Sequence, residues 1–97
     1  MEDREYLVIL YDYYGELLND IQKKYFEEYY FDNLSLSEIS ENDGKSRNAI
    51  HKSIKNSSSK LYEYEEKLGL YEKKKKLDRV IDKIDDVEIK NILKELI

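Results

Sequence analysis

The sequence predicts an all-α protein built around a helix-turn-helix. Three observations support this prediction: the 97-residue chain contains no proline, its only glycines are at positions 15, 44 and 69, and its apolar residues recur at three- and four-residue spacing. Proline and glycine interrupt helices most strongly, so long helices can form between these glycines. At this length we expect one domain over residues 1–97.

The first two predicted helices carry most of the aromatic residues. Residues 5–14 (EYLVILYDYY) form an apolar-rich helix that ends near Gly15, and residues 16–33 form a second helical segment in which Asn19 or Asp20 is a candidate N-cap. The aromatic residues at 25, 26, 29, 30 and 31 favour a packed core. A platform for stacking nucleic-acid bases is the alternative interpretation of the same cluster.

A short helix follows over residues 36–43. Ser35 and Glu38 have the spacing of a capping box, in which the hydroxyl accepts a backbone N–H and the carboxylate reaches back to the cap residue. We expect this helix to bury Leu36 and Ile39 and to end at Gly44 in a left-handed conformation.

A longer helix begins directly after this turn. Ser46 is its predicted N-cap and Gly69 is its predicted stop. Its predicted apolar stripe is Ala49, Ile50, Ile54 and Leu61, extended by Tyr64, Leu68 or both. A short helix, a glycine turn and a capped second helix are typical of a helix-turn-helix, which we place at about residues 35–68.

The C-terminal extension, at about residues 70–97, is predicted to hold further helices. Leu77, Val80, Ile81 and Ile84 share one face of a helix over 71–84. The apolar phase then changes, and Asp85-Asp86 is positioned to cap a last helix that carries Ile89, Ile92, Leu93 and Leu96.

Charge is distributed unevenly along the chain. The formal net charge is −5, but residues 44–60 contain five basic residues and no acidic residue. Charge distribution matters more than net charge for a surface that meets phosphates. An acidic protein can therefore present a basic second helix here. The alternative is a solvated face that lies near the acidic first half of the chain.

Residue types along this helix suit nucleic-acid contacts. Recognition helices present their N-terminal residues to base edges, where arginine pairs with guanine and asparagine with adenine, while lysines suit phosphates. The candidate nucleic-acid-binding residues are Ser46, Arg47, Asn48, His51, Lys52, Lys55 and Lys60.

Four segments make the sequence resemble the YlxM-like family of small bacterial proteins. They are YDYYGELL at 11–18, LSLSEI at 34–39, SRNAIHKSIK at 46–55 and YEEKLGLYEK at 64–73. The resemblance implies an all-helical fold, with a three- or four-helix core similar to the promoter-binding C-terminal region of sigma factors. It also implies a role connected with the signal recognition particle. The family pattern has apolar residues at the positions of Ser40, Asp43 and Lys45, so this chain is more polar around the turn.

A different class of function is carried by the C-terminal apolar residues. Leu77, Ile81, Ile84, Ile92, Leu93 and Leu96 are the candidate interface residues for a protein partner, such as a signal recognition particle protein, or for a second copy of the chain. In this hypothesis the helix-turn-helix is only architecture. Packing within one chain is the plainer interpretation of the same stripe.

Enzymatic and metal-dependent functions are not predicted. The chain has no cysteine and only one histidine, adjacent carboxylates point in different directions on a helix, and no glycine-rich phosphate loop is present. We therefore expect no catalytic residues, no metal and no cofactor. The longest apolar run, at 6–11, is too short to cross a bilayer, and the acidic N-terminus lacks the basic start of a signal peptide. These features predict a soluble cytoplasmic protein without membrane insertion.

Overall fold

A computed structural model describes residues 3–97 and confirms the all-α prediction. Within these residues there are six α-helices, one short 3-10 turn and no β-strand. The α-helices are α1 (Arg4–Tyr14), α2 (Asp20–Tyr30), α3 (Leu36–Asp43), α4 (Arg47–Leu68), α5 (Leu70–Ile81) and α6 (Val87–Leu96). The 3-10 turn is Gly15–Leu17.

The second helical segment is shorter than the predicted range of 16–33. The chain turns as a 3-10 helix after Gly15, and Leu18 is extended with ψ 153°. Asn19 then caps α2, since its side chain accepts from the Gln22 N–H at 2.8 Å while the Gln22 side chain accepts from the Asn19 N–H at 3.1 Å. This polar cap stops the first segment and starts the next, which apolar spacing alone does not show.

The chain divides into two compact units, Met1–Lys67 and Leu68–Ile97. In the first unit, the buried residues of α1 and α2 are Leu7, Leu10, Tyr14, Tyr25 and Phe26. The predicted aromatic core is therefore correct for Tyr25 and Phe26, whereas Tyr29 and Tyr30 are half-buried and Phe31 is exposed.

The buried stripe of α4 differs from the predicted one at two places. Ile50, Ile54 and Leu61 are buried as expected, but Ala49 is exposed. The prediction for Ala49 is wrong because the inward face continues instead through Ser57 and Ser58, which have no exposed surface. Their hydroxyls donate to the Ser53 and Ile54 carbonyls one turn earlier, each at 3.0 Å, so both polar groups are satisfied within the helix.

The second unit contains α5 and α6. Helix α5 ends at Ile81, three residues before the predicted end, and a turn follows in which the Lys83 and Ile84 N–H groups donate to Val80 and Ile81. Asp86 caps α6 as predicted, because its side chain accepts from the Ile89 N–H at 3.1 Å. Across residues 3–97, no helix is long and apolar enough to span a membrane.

Candidate nucleic-acid interface

The corner between α3 and α4 is built from local polar caps. At its start, Glu38 N–H donates to the Ser35 hydroxyl at 3.1 Å and Ser35 N–H donates to the Glu38 carboxylate at 3.0 Å, which completes the predicted capping box. The bond from the Ser35 N–H, followed by the interaction with the Ser35 side chain, holds the pKa of the Glu38 carboxyl below its ordinary value. Gly44 ends α3 in the left-handed region with φ 67°, as its position predicts.

The start of α4 is fixed in the same way. The Ser46 hydroxyl accepts from the Ala49 N–H at 3.1 Å, so this predicted site residue also serves as the helix cap. Ser40 donates a hydrogen bond to the Lys45 carbonyl across the turn. The polar residues at 40 and 45 therefore contact each other through side chain and backbone, and they help to close the corner.

A small apolar cluster sets the orientation of α4. It consists of Tyr25 from α2, Ile39 from α3, and Ile50 and Ile54 from α4. All four are buried. Ile50 and Ile54 are one turn apart on the inward face, and the other side of α4 is exposed to solvent over its first turns.

That solvent face carries the predicted nucleic-acid-binding residues. Helix geometry places Asn48, His51, Lys52 and Lys55 within an arc of about 100°, because successive residues are rotated by about 100°. Arg47 begins the helix beside them. All seven candidate residues are exposed, including Ser46 and Lys60. We call Arg47, Asn48, His51, Lys52 and Lys55 the basic face.

The basic face is not neutralised within the part of the chain that the structure describes. Over residues 3–97, Arg47, Lys52 and Lys55 form no ion pair, whereas five other lysines do. Those pairs are Lys23–Glu16, Lys24–Asp43, Lys67–Glu63, Lys74–Asp78 and Lys75–Glu72. The acidic residues of the first half therefore leave this face uncovered.

Lys60 stands apart from the other candidates. It lies further round α4, about 80° beyond Lys52 by helix geometry, and it is close enough to Glu63 to help lower the pKa of that carboxyl, after the larger effect of Lys67. The structure therefore groups five of the predicted residues and separates Lys60 from them.

The acidic residue nearest the turn, Asp43, is bonded to two residues of α2. Asp43 accepts hydrogen bonds from the Tyr25 hydroxyl and from Lys24 Nζ, the latter at 2.8 Å. The bond from Lys24 and then that from Tyr25 hold the pKa of Asp43 below its ordinary value. A charged residue at this position thus has partners on α2, which explains how the turn accommodates it.

An open groove of about 570 Å³ borders the basic face, and most of its lining residues are not predicted by charge or spacing. The residues that line it come from α1, α2, α3 and α4: Arg4, Tyr29, Tyr30, Leu36, His51, Ile54, Lys55 and Tyr62. Only His51 and Lys55 were singled out by charge and spacing. The other positions are brought together by packing between helices that are distant in sequence.

The predicted protein-interface residues do not form one exposed surface. Leu77, Ile92 and Leu96 are exposed, Ile84 and Leu93 are half-buried, and Ile81 is buried with 3% of its surface accessible. Burial removes Ile81 from any such surface in this structure. Ile89, which is 50% exposed, shares a face of α6 with Ile92 and Leu96 and adds to the apolar surface there.

No group of three or more potential metal-ligating side chains occurs among the described residues.

Comparison with known proteins identifies relatives along the whole chain. Residues 1–97 match the model of the UPF0122 family, described as "Putative helix-turn-helix protein, YlxM / p13 like". A UPF0122 protein of Clostridium novyi (strain NT) is 46% identical over 95 residues, covering 94% of this chain and 83% of the relative. A UPF0122 protein of Listeria innocua serovar 6a is 40% identical over 97 residues, covering 91% and 88%.

A relative of lower sequence identity also belongs to the UPF0122 proteins. A UPF0122 protein of Symbiobacterium thermophilum is 36% identical over 86 residues, covering 89% of this chain and 80% of the relative. The resemblance drawn from the four sequence segments is thereby confirmed.

Proposed function

Because the chain belongs to the UPF0122 family of YlxM / p13-like helix-turn-helix proteins, we propose that it is a non-enzymatic accessory protein that binds nucleic acid through the basic face of α4. The observation that carries the proposal is the absence of ion pairs at Arg47, Lys52 and Lys55 within residues 3–97. Unpaired cations on one helix face are available to phosphates without first giving up an internal partner.

The residues of the basic face would have different tasks. Arg47 and Asn48 lie in the first turn of α4, where side chains of recognition helices reach base edges. Lys52 and Lys55 lie one and two turns further along, and suit the phosphate backbone. Three cationic contacts give a salt dependence of about −3 in log K against log salt concentration on duplex DNA. Such an interaction is weak for one copy of the chain and suits an accessory role.

The nucleic acid we propose first is the RNA of the signal recognition particle. This choice rests on the resemblance to the YlxM-like family, which connects such proteins with that particle. A promoter-like duplex DNA is the second ligand, suggested by the likeness of the family to the C-terminal region of sigma factors. Both proposed ligands are cytoplasmic, which supports a cytoplasmic location as part of the proposal.

A binding titration at two salt concentrations tests the proposal. Wild-type protein is compared with an Arg47→Glu, Lys52→Glu, Lys55→Glu variant on signal recognition particle RNA and on random duplex DNA. A matched control carries Lys76→Glu, Lys83→Glu and Lys94→Glu, which changes the net charge equally at exposed positions of α5, the following turn and α6. We expect the basic-face variant to lose binding and the control to retain most of it. Equal binding by wild type and the basic-face variant would refute the proposal.

A second candidate function is supported by the apolar surface of α6. No residue of this helix is buried, and Ile89, Ile92 and Leu96, which helix geometry places on one face, are each at least half exposed. Exposed apolar residues at helical spacing are a feature of surfaces that meet a protein partner or a second copy of the chain. In that case the helix-turn-helix would serve only as architecture.

The second candidate is tested by sedimentation of the full chain. An Ile89→Ser, Ile92→Ser, Leu96→Ser variant is compared with wild type and with a control that changes Glu88, Lys94 and Glu95 to serine on the same helix. Dimerisation through α6 predicts that only the apolar variant sediments as a monomer. A wild-type chain that is already monomeric over the whole concentration range would exclude self-association and leave a different protein as the partner to be sought.

A further inference from the structure

The groove beside the basic face has the size and lining of a ligand site. Its volume of about 570 Å³ lies within the range of small-ligand pockets, and Leu36 and Ile54 supply apolar surface. All its lining residues belong to the first compact unit. The groove shares His51 and Lys55 with the basic face, so a ligand bound along that face can extend into it.

The charge of the groove has one sign. Arg4 and Lys55 are cationic, His51 lies beside them, and the lining includes no carboxylate. Arg4 is fixed in place, because its Nη2 donates to the Tyr30 carbonyl at 2.6 Å and to Asn33 Oδ1 at 2.7 Å. These bonds position the guanidinium and do not cancel its charge, since both acceptors are neutral. The groove therefore complements an anion.

The aromatic side chains of the groove are suited to a planar partner. Tyr30 is already packed, with its ring centroid 4.5 Å from that of Phe26 and with the Arg4 guanidinium 5.2 Å from its own centroid. Tyr29 meets Tyr30 at an interplanar angle of 89°, with 5.0 Å between centroids, so the two rings are not stacked face to face. Tyr29 is half-buried and lines the groove. Its ring is the candidate stacking surface.

We infer that this groove binds one unpaired nucleotide, with its base stacked on Tyr29 beside Leu36 and Ile54 and its phosphate at Lys55, His51 and Arg4. A base in a duplex is paired and stacked within the helix, whereas an unpaired base can be turned outward and stacked on an aromatic side chain. The inference rests on the proposed function, because Lys55 belongs to both sites. It adds that the protein prefers single-stranded or looped nucleic acid to a continuous duplex.

Fluorescence anisotropy with two labelled ligands tests this inference. The ligands are an RNA oligonucleotide and the fully paired duplex of the same sequence. The variants are Tyr29→Leu, which removes the aromatic ring, Tyr29→Phe, which keeps it, and Tyr13→Leu, which changes a half-buried tyrosine outside the groove. We expect Tyr29→Leu to weaken single-strand binding about tenfold and to leave duplex binding within about twofold. Tyr29→Phe and Tyr13→Leu should bind both ligands as wild type does.

The controls separate failure of this inference from failure of the proposed function. If the Arg47→Glu, Lys52→Glu, Lys55→Glu variant loses both ligands while Tyr29→Leu loses neither, only the groove assignment is overturned. If wild type binds neither ligand, both are overturned. A groove that binds a peptide or lipid instead would give the first result. Thermal unfolding shows whether Tyr29→Leu remains folded.

A measurement on the wild-type chain does not depend on any variant. Adenosine or uridine monophosphate is titrated into isotope-labelled protein, and the resonances of Tyr29, Lys55 and Tyr13 are followed. Shifts at Tyr29 and Lys55 with none at Tyr13 are expected. Shifts spread evenly over the basic side chains of the whole protein would show charge attraction alone and overturn the assignment.

Discussion

The Tyr25 hydroxyl donates a hydrogen bond to the Asp43 carboxylate and so ties α2 to the last residue of α3. Tyr25 is only 3% exposed, and burial, followed by the bond to Asp43, raises its pKa to about 12. The ring of Tyr25 also belongs to the apolar cluster with Ile50 and Ile54. One side chain therefore packs against the inward face of α4 and holds the residue that precedes the turn.

Removal of the Tyr25 hydroxyl should destabilise the corner. Tyr25→Phe keeps the ring in the cluster but leaves Asp43 with one partner fewer, and we expect a loss of about 1 kcal/mol in the free energy of unfolding. For a chain of this size, that corresponds to a decrease of about 4–8 °C in Tm. Thermal unfolding followed by circular dichroism measures it. Tyr29→Phe is the control, and an unchanged Tm for Tyr25→Phe would show that the bond contributes nothing.

Asp43 should make stability depend on acid pH. Its pKa in the folded protein is lower than the ordinary value of 3.8, because the carboxylate accepts bonds from Lys24 and Tyr25. A lowered pKa means that the stabilisation is present above the ordinary value and is lost as pH falls through the folded value. Asp43→Asn removes the charge at every pH. The difference in Tm between wild type and this variant should therefore be largest near neutral pH and shrink as the pH falls below 3.8.

The matched control for this pH series is Asp12→Asn, which removes a carboxylate from an exposed position on α1. Its Tm should run parallel to that of wild type over the same range. A difference between wild type and Asp43→Asn that stays constant with pH would mean that the charge of Asp43 has no part in holding the corner.

The predictable features of this structure are those that short-range chemistry determines. The Ser35–Glu38 capping box, the left-handed Gly44 and the Asp86 cap each involve residues within a few positions of one another, and each can be recognised from residue type and spacing. The exposure of the basic face follows in the same way, because the apolar spacing of Ile50 and Ile54 fixes which side of α4 is inward.

Features that join distant parts of the chain were not predictable in the same way. The bond between Tyr25 and Asp43 spans 18 positions, and the groove combines Arg4 with residues as far along as Tyr62. The burial of Ser57 and Ser58 was missed because their polar side chains are satisfied by their own helix, which sequence spacing does not reveal. In each case the contact or the hydrogen bond depends on how the helices pack, and the local sequence pattern does not determine that packing.

Gly44 should be the position in the corner that is most sensitive to a single methyl group. Its φ of 67° lies in the left-handed region, yet a Cβ atom added there would meet nothing within 4 Å. The cost of Gly44→Ala is therefore conformational and should be about 1 kcal/mol in the free energy of unfolding. Asparagine tolerates this conformation better, so Gly44→Asn should lose less. Urea unfolding of the two variants shows which of them is more stable. If Gly44→Ala were more stable than Gly44→Asn, the conformational explanation would be contradicted.

Substitutions at the buried serines of α4 should show how closely this helix is packed. The Ser57 hydroxyl donates to the carbonyl of Ser53, and Ser57 has no exposed surface. Ser57→Ala removes a bond that the helix does not need. It should therefore change the free energy of unfolding by less than about 0.5 kcal/mol. Ser57→Leu instead forces a larger side chain into a filled space and should cost about 1–3 kcal/mol. Ser59→Leu is the matched control, since Ser59 is exposed on the same helix. Urea unfolding of the three variants provides the comparison. If Ser57→Leu were as stable as Ser59→Leu, there would be room for a larger side chain beside Ser57, and small residues would not be required on this face of α4.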